Sequence, residues 1–251
     1  MFRVRASTGN LLQTWTGATD ATAVLVARGK VFVIGDTSPG TLYQIDPAQP
    51  PGTVATVTSS LADFPVDIAY DGQHIWTTNS GSVSKITLNP LTVVNVTTGL
   101  FSPFGIVYDG SNIWVTDDGD GKLKQLDSNG NVLQSVTLGA GVDRPVFDGT
   151  NIWVPNGGDN TVSVVRASGG LAGTVLATLS GNGLNSPHAA AFDGSRILIT
   201  NNVDGVSLWK ATDFSPIANF LTGANTFPDK LCSDGTYFWV VLRTANKLAR
   251  F

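Results

Sequence analysis

The chain has 251 residues, of which 42% are hydrophobic and 14% charged, and its formal net charge is −4. That balance gives no basic footprint for nucleic acid, and no apolar run approaches the roughly 18 residues of a membrane-spanning helix. One cysteine, Cys232, excludes an intrachain disulfide and a Cys-based zinc site; its place in a core strand predicts burial.

The first residues, Met1 to Leu12, lack the basic start and unbroken apolar stretch of a secretory leader. Low charge, 28 glycines and many Thr, Asn and Ser suit an all-strand protein, and are compatible with a secreted or periplasmic bacterial one. Phe2 to Arg5 and Leu11 to Thr16 match the third and fourth strands of a repeat that becomes visible downstream. Thr22 to Gly35 is a degenerate copy of it, and Phe64 to Asn79 (FPVDIAYDGQHIWTTN) states it in full. It returns as Ser102 to Asp117, Val142 to Asn156, Ser186 to Asn201 and Phe227 to Leu242. Its turn glycines are Gly29, Gly72, Gly110, Gly149, Gly194 and Gly235. A period of about 40 residues marks a repeat architecture.

Within each copy an apolar run ends at Asp-Gly, and a second run carrying Trp follows. Glycine after aspartate supplies the positive φ of a tight hairpin, so the pair reads as two antiparallel strands. A third strand such as Leu123 to Leu126 and a fourth such as Val132 to Leu138 complete the unit. The reading is all-β: a six-bladed β-propeller of four-stranded antiparallel blades. The blades fall at about residues 21–59, 60–100, 101–141, 142–185, 186–225 and 226–251 plus 1–17, in a single domain. Lys247 to Phe251 matches a third strand with nothing after it. An N-terminal strand is therefore expected to join the C-terminal blade and close the ring, hiding its edges. Both termini offer a third strand for that blade. Met1 to Arg5 either lies outside the sheet or pairs with a second molecule, as in a module cut from a larger surface protein; otherwise a monomer is expected.

Trp76, Trp114, Trp153 and Trp239 share one repeat position, filled by Leu198 and Phe32 in the other two copies. Large side chains recurring there predict packing between blades. Pro103 to Gly110 followed by Ile113-Trp114-Val115-Thr116-Asp117 resembles the YVTN and NHL repeat propellers, and is similar to the repeats of streptogramin (virginiamycin B) lyase and gluconolactonase-like propellers. The likeness covers nearly the whole chain. Such families include lyases, lactonases and metal-dependent hydrolases beside binding modules without chemistry, so the repeat speaks for fold more than activity. The lyase resemblance implies catalytic histidines and acidic metal ligands on inner strands of different blades. Of the two histidines, His74 and His188, only His188 stands in an inner strand; His74 falls in an exposed turn.

Ligands of propellers sit over the central channel. The position after the proline reads Ala23, Val66, Phe104, Asp143, His188 and Asp229 around the ring; the next reads Val24, Asp67, Gly105, Arg144, Ala189 and Lys230. Charged groups at otherwise apolar inner positions are costly unless paired or wet, and here they gather in blades four to six. On one reading His188 is a general base or metal ligand with Asp143 and Asp229, the ion Ca²⁺ or Mg²⁺, while Arg144 and Lys230 bind an anionic group. On the other, Asp143 or Asp67 pairs with Arg144, and Asp229 with Lys230, around a solvated channel. Asp117-Asp118-Gly119-Asp120-Gly121 reads as a solvated turn before a Ca²⁺ loop, since it lacks the distal ligands of an EF-hand. Asn79, Asn156 and Asn201, at the position of Asp117, are expected to fasten turns to their own backbone.

The function expected is binding of a small polar ligand or a protein loop at the channel mouth, with Arg144, Lys230, Asp67 and Phe104 in contact. Phe64, Phe104 and Phe227 would form an apolar rim for a protein. The alternative is a metal-assisted lyase or lactone hydrolase built on His188, Asp143 and Asp229.

Overall fold

Apolar alternation between glycine turns yields strands throughout, and no helix forms in the computed structural model, which describes all residues 1–251. None is therefore long and apolar enough to cross a membrane. β1 (Phe2–Val4) and β2 (Leu11–Thr14) come first. Blade one is β3 (Ala21–Ala27), β4 (Lys30–Gly35), β5 (Gly40–Ile45) and β6 (Ala55–Leu61). Blade two is β7 (Asp67–Tyr70), β8 (Ile75–Asn79), β9 (Ser82–Leu88) and β10 (Leu91–Val96). Blade three is β11 (Pro103–Tyr108), β12 (Ile113–Asp117), β13 (Lys122–Leu126) and β14 (Val132–Thr137). Blade four is β15 (Val146–Phe147), β16 (Asn151–Asn156), β17 (Thr161–Arg166) and β18 (Val175–Leu179). Blade five is β19 (Pro187–Phe192), β20 (Arg196–Asn201), β21 (Gly205–Lys210) and β22 (Pro216–Leu221). Blade six has three strands, β23 (Pro228–Ser233), β24 (Phe238–Leu242) and β25 (Lys247–Arg250). The result is the six-bladed propeller expected, each blade an antiparallel meander.

The recurring large residue packs between blades. Phe32, Trp76, Trp114, Trp153 and Leu198 each join a core cluster shared with the following blade. At this position the buried indole finds a partner for its N–H. In four blades Nε1 donates to the turn aspartate five residues earlier: Trp76 to Asp71 (2.8 Å), Trp114 to Asp109 (2.7 Å), Trp153 to Asp148 (2.7 Å) and Trp239 to Asp234 (2.8 Å). Where blade five has Leu198, Arg196 Nε takes over the carboxylate of Asp193 at 2.7 Å. The other oxygen of Asp71 accepts the amides of Gln73 and His74. The turn is thus four residues long, Asp71 to His74, between the paired Tyr70 and Ile75, rather than a two-residue hairpin, because the carboxylate caps the amides.

Three other expectations are corrected. Ring closure does not proceed by an N-terminal fourth strand. β1 pairs with β2 as a separate two-stranded sheet, and blade six ends at β25. Trp15 packs instead with Val33, Tyr43, Ile45 and Val54 of blade one, where Thr16 exchanges backbone hydrogen bonds with Gly52 and Val54. Cys232 is exposed. It occupies the place of Ala69 and Ala191, which are buried against the next blade, but blade one does not cover it. Asn79 fastens its own turn as expected, giving Nδ2 to the carbonyls of Thr77 (3.3 Å) and Ser82 (3.4 Å) as well as to Ser84 (3.0 Å), but Asn156 and Asn201 reach across the sheet instead, to Ser163 and Ser207 (both 2.9 Å).

Blade three replaces that amide–hydroxyl pair by Asp117 and Lys124, 2.7 Å apart with side chains 0% and 3% exposed. Asp117 also accepts the amides of Phe101 and Ser102, which tie the incoming connection to the blade. Burial opposes its ionisation, yet Lys124 and those amides hold its pKa below the usual carboxylate range. Lys124→Ala, which strands a buried carboxylate, is expected to cost about 3–5 kcal/mol in urea denaturation. The double change Asp117→Asn with Lys124→Ser, which copies blades two, four and five, should recover most of that loss.

Candidate functional site

The inner strands do not run evenly to the axis. Register shifts interrupt them between Pro103 and Ile106, Pro187 and Ala189, and Pro228 and Leu231. The threonine of the second strand fills the irregularity: Thr116 Oγ1 accepts Gly105 N–H at 2.8 Å and Thr200 Oγ1 accepts Ala189 N–H at 3.1 Å. Thr78, which likewise accepts the Asp67 amide at 3.2 Å, and Thr200 also reach the next blade. Thr78 Oγ1 donates to Phe104 O (2.5 Å) and Thr200 Oγ1 to Asp229 O (2.8 Å). Blade four has Pro155 opposite Arg144, with no hydroxyl to offer and no N–H for the ladder. Its inner strand is reduced to two residues, and Arg144 N–H bonds to His188 O of blade five at 3.2 Å. Gly105 has to be glycine at this junction, because a Cβ there would lie 2.4 Å from Pro145 Cδ and 2.7 Å from Arg144 Cα.

These irregularities bring the expected residues together at the channel. His188 Nδ1 lies 2.5 Å from Asp143 Oδ2 and its Nε2 lies 2.8 Å from Asp229 Oδ1, so one imidazole spans blades four, five and six. Arg144 Nη1 donates to Asp143 Oδ1 at 3.2 Å, sits 3.0 Å from His188 Nε2, and its guanidinium stacks on Phe104 at 4.5 Å. All four polar side chains are part-buried. Arg144 Nε is buried without a partner. The Asp143–Arg144 pairing expected from sequence is present, but Lys230 does not pair with Asp229. Its Nζ donates to the carbonyls of Thr22 (2.5 Å) and Val66 (3.3 Å). Asp67 Oδ2 accepts the Ile106 amide at 3.2 Å.

Thr22 was missed because blade one has no proline and a shorter turn. Ala23 pairs with Ile34 as Asp67 pairs with Thr78. The two ring positions in blade one are therefore Thr22 and Ala23, one residue earlier than alignment on the turn glycine places them. Counting back from Phe32, the tryptophan equivalent, would have found this. His74 is half-buried rather than exposed, with Nδ1 3.0 Å from Asp71 Oδ2. Of the aromatic rim, Phe64 is exposed, while Phe104 lies under Arg144.

Burial works against a charged His188, but hydrogen bonds to Asp143 and Asp229 outweigh it and raise the pKa above 6.5; Arg144 pushes the other way. Burial likewise opposes ionisation of Asp229, and the bond to His188 overrides it and lowers the pKa. For Lys230 burial wins, aided by Arg144, and brings the ammonium down to about 8 against the pull of Asp67, Asp229 and Asp143. Asp67 is raised by desolvation, with Lys230 and Arg144 opposing.

The donors do not fit a divalent cation. A neutral imidazole binds a metal through a free nitrogen lone pair, and here both nitrogens face carboxylates. No three His, Cys, Asp or Glu side chains converge on one point. At the Asp117–Gly121 loop a cation is already present, since Lys124 Nζ contacts Asp117 and Asp120 at 2.7 and 2.9 Å.

No protein family and no curated protein matches the sequence. Solved structures do. A functionally unknown protein from Desulfotomaculum acetoxidans has a TM-score of 0.79 at 16% identity over 99% of this chain and 87% of its own. A putative 6-phosphogluconolactonase from Bacteroides fragilis gives 0.78 and 18% over 100% and 85%. Streptogramin B lyase gives 0.73 and 13% over 95% and 85%. The chain shares their propeller fold. At these identities the likeness carries no residue roles.

The sign of each pKa shift sets a pH profile. A raised His188 contributes stability that is complete below 6.5 and lost as pH climbs through the folded value. Lys230 runs oppositely: its buried charge costs stability at neutral pH, and the cost is relieved between about 8 and 10.5. The urea midpoint should therefore fall across the neutral range, and His188→Gln should flatten that fall. Lys230→Met should remove the recovery at alkaline pH. Unchanged slopes in both variants would contradict the assignment.

Proposed function

We propose that the channel mouth binds a small neutral or zwitterionic polar molecule and performs no chemistry on it. The observation that carries this reading is the internal pairing of the cluster. With His188 protonated, the hydrogen-bonded group sets Asp143 and Asp229 against Arg144 and His188, one charge for one, and both imidazole nitrogens are engaged by carboxylates. A balanced site discriminates against molecules with a large net charge, since desolvating an unmatched charge is expensive. It suits a molecule offering hydroxyl, ammonium and carboxylate groups at fixed spacing. Arg144, held flat on Phe104, provides donors of defined direction.

A second reading rests on the Asp143–His188 bond alone. A carboxylate fixing Nδ1 presents Nε2 as a proton donor or acceptor at the mouth, which general acid–base catalysis by a lyase or lactone hydrolase would use. Residues His188, Asp143 and Asp229 would then be catalytic, and Asp229 would have to yield its place to substrate.

Calorimetric titration with amino acids, betaines, polyols and sugars separates the two. Saturable binding of one class, weakened about tenfold (~1.4 kcal/mol) by Asp229→Asn and by Arg144→Gln, with no turnover of lactone or lyase substrates, is the expected result. Turnover abolished by His188→Gln would establish the second reading, and no saturation in any class would dismiss the first. Parallel titration with Ca²⁺ and Mg²⁺ should give no saturable heat.

A further inference from the structure

The turns between the first two strands are built alike in blades two to six. Each opens on Asp-Gly, and the aspartate accepts the amides of the third and fourth residues. The third residue is Ser111, Thr150, Ser195 or Thr236 in blades three to six, and the fourth is Asn112 or Asn151 in blades three and four. Blade two departs at both places, with Gln73 and His74 side by side. The turn itself does not require them, because a serine and an asparagine close the same turn in blade three. What the larger side chains add lies outside the turn.

Both line a cleft of about 180 Å³ that has Tyr108, Ser111, Asn112 and Ser128 of blade three on its other side. It lies at the far end of the blades from the channel cluster, since Asp67 begins β7 and the Tyr70–Ile75 pair ends it. The charges around the cleft are already engaged. Asp71 receives His74 Nδ1 and Trp76 Nε1 besides its two amides. Asp127 accepts the amides of Asn129 and Asn131 and Nδ2 of Asn131. Lys85 Nζ sits over the Trp76 ring and donates to Ser128 O at 2.6 Å.

The groups left for a ligand are neutral. Gln73, Ser111 and Asn112 make their hydrogen bonds through the backbone, which leaves two amides and a hydroxyl able both to donate and to accept. The His74 side chain is 19% exposed, and with Nδ1 held by Asp71 its remaining nitrogen is Nε2. Hydroxyl groups match such partners because they too donate and accept. The Tyr108 ring offers an apolar surface to the C–H face of a sugar. A cation would compete with the donors that hold both carboxylates, and an anion would meet those carboxylates unmatched.

We propose that the cleft between the turns of blades two and three binds a neutral saccharide, with His74 Nε2, the Gln73 and Asn112 amides and the Ser111 hydroxyl on its hydroxyl groups and Tyr108 against its ring. This site is separate from the channel mouth and does not depend on what binds there.

The test is titration of the protein with glucose, galactose, mannose, N-acetylglucosamine, maltose and lactose, followed by calorimetry and by the imidazole proton resonances. The chain has two histidines, so the His74 signal reports the cleft and the His188 signal the channel. Glucosamine and glucuronate serve as charged controls. The expected result is saturable binding of at least one neutral sugar that shifts the His74 resonance. The double change Gln73→Ser with His74→Asn, which copies the turn of blade three, should weaken it about tenfold, as the loss of a hydrogen bond to the ligand would, and keep the wild-type unfolding midpoint. No saturation by any neutral sugar, a His74 resonance that stays in place while binding proceeds, undiminished affinity in the double variant, or equal binding of either charged control would each overturn the proposal.

Discussion

Each tryptophan at the repeat position gives its indole N–H to a turn aspartate, and the propeller is arranged around that bond; Trp209, outside that position, buries its Nε1 without a partner. The aspartate that receives the N–H sits five residues earlier and also accepts amides of its own turn, as Asp71 does for Gln73, His74 and Trp76. A single carboxylate therefore fixes the length of the turn, the register of the first two strands and the orientation of the ring that fills the gap to the next blade. Blade five keeps the aspartate without the indole and supplies Arg196 in its place. The acceptor, once buried, needs a donor as much as the donor needs it.

The same accounting governs departures from the repeat. Asn79 with Ser84 and Asp117 with Lys124 are two solutions for one buried polar position. The ionic one is viable because Lys124 also contacts Asp120 and the carbonyl of Gly99, leaving little of its charge unmatched. At the channel, Pro155 stands where blades two, three and five place a threonine hydroxyl beside the inner strand. Arg144 then hydrogen-bonds to blade five, and its guanidinium is held between Phe104 and Asp143. A residue in the second strand of blade four thus shapes the site, and its carbonyl accepts the Asp143 amide at 2.9 Å.

Charge at the axis is organised by desolvation as well as pairing. His188 is drawn toward its protonated form by two carboxylates, whereas Lys230, surrounded mainly by backbone carbonyls, is drawn away from it. Two basic groups in one channel therefore shift in opposite directions. The cluster's charge state around neutral pH is a property of the assembled ring and not of any one side chain.

The sequence by itself determined the number of blades, the antiparallel order within them and the inter-blade role of Phe32, Trp76, Trp114, Trp153 and Leu198, because each copy carries the local chemistry of its own turn and strand. It also brought Asp143, His188 and Asp229 to one place, since equal repeat positions in adjacent blades converge on the axis. It did not determine which nitrogen faces which carboxylate, that Lys230 turns to Thr22 instead of Asp229, or the one-residue offset in blade one. Those depend on strand irregularities set by neighbouring blades. Nor could it place the N-terminal segment or predict the exposure of Cys232. Closure of the ring is the contact most distant along the chain, and a local repeat pattern identifies which strand is missing without saying what covers the edge. That was decided by the packing of Trp15 on blade one, a tertiary contact with no counterpart in the repeat.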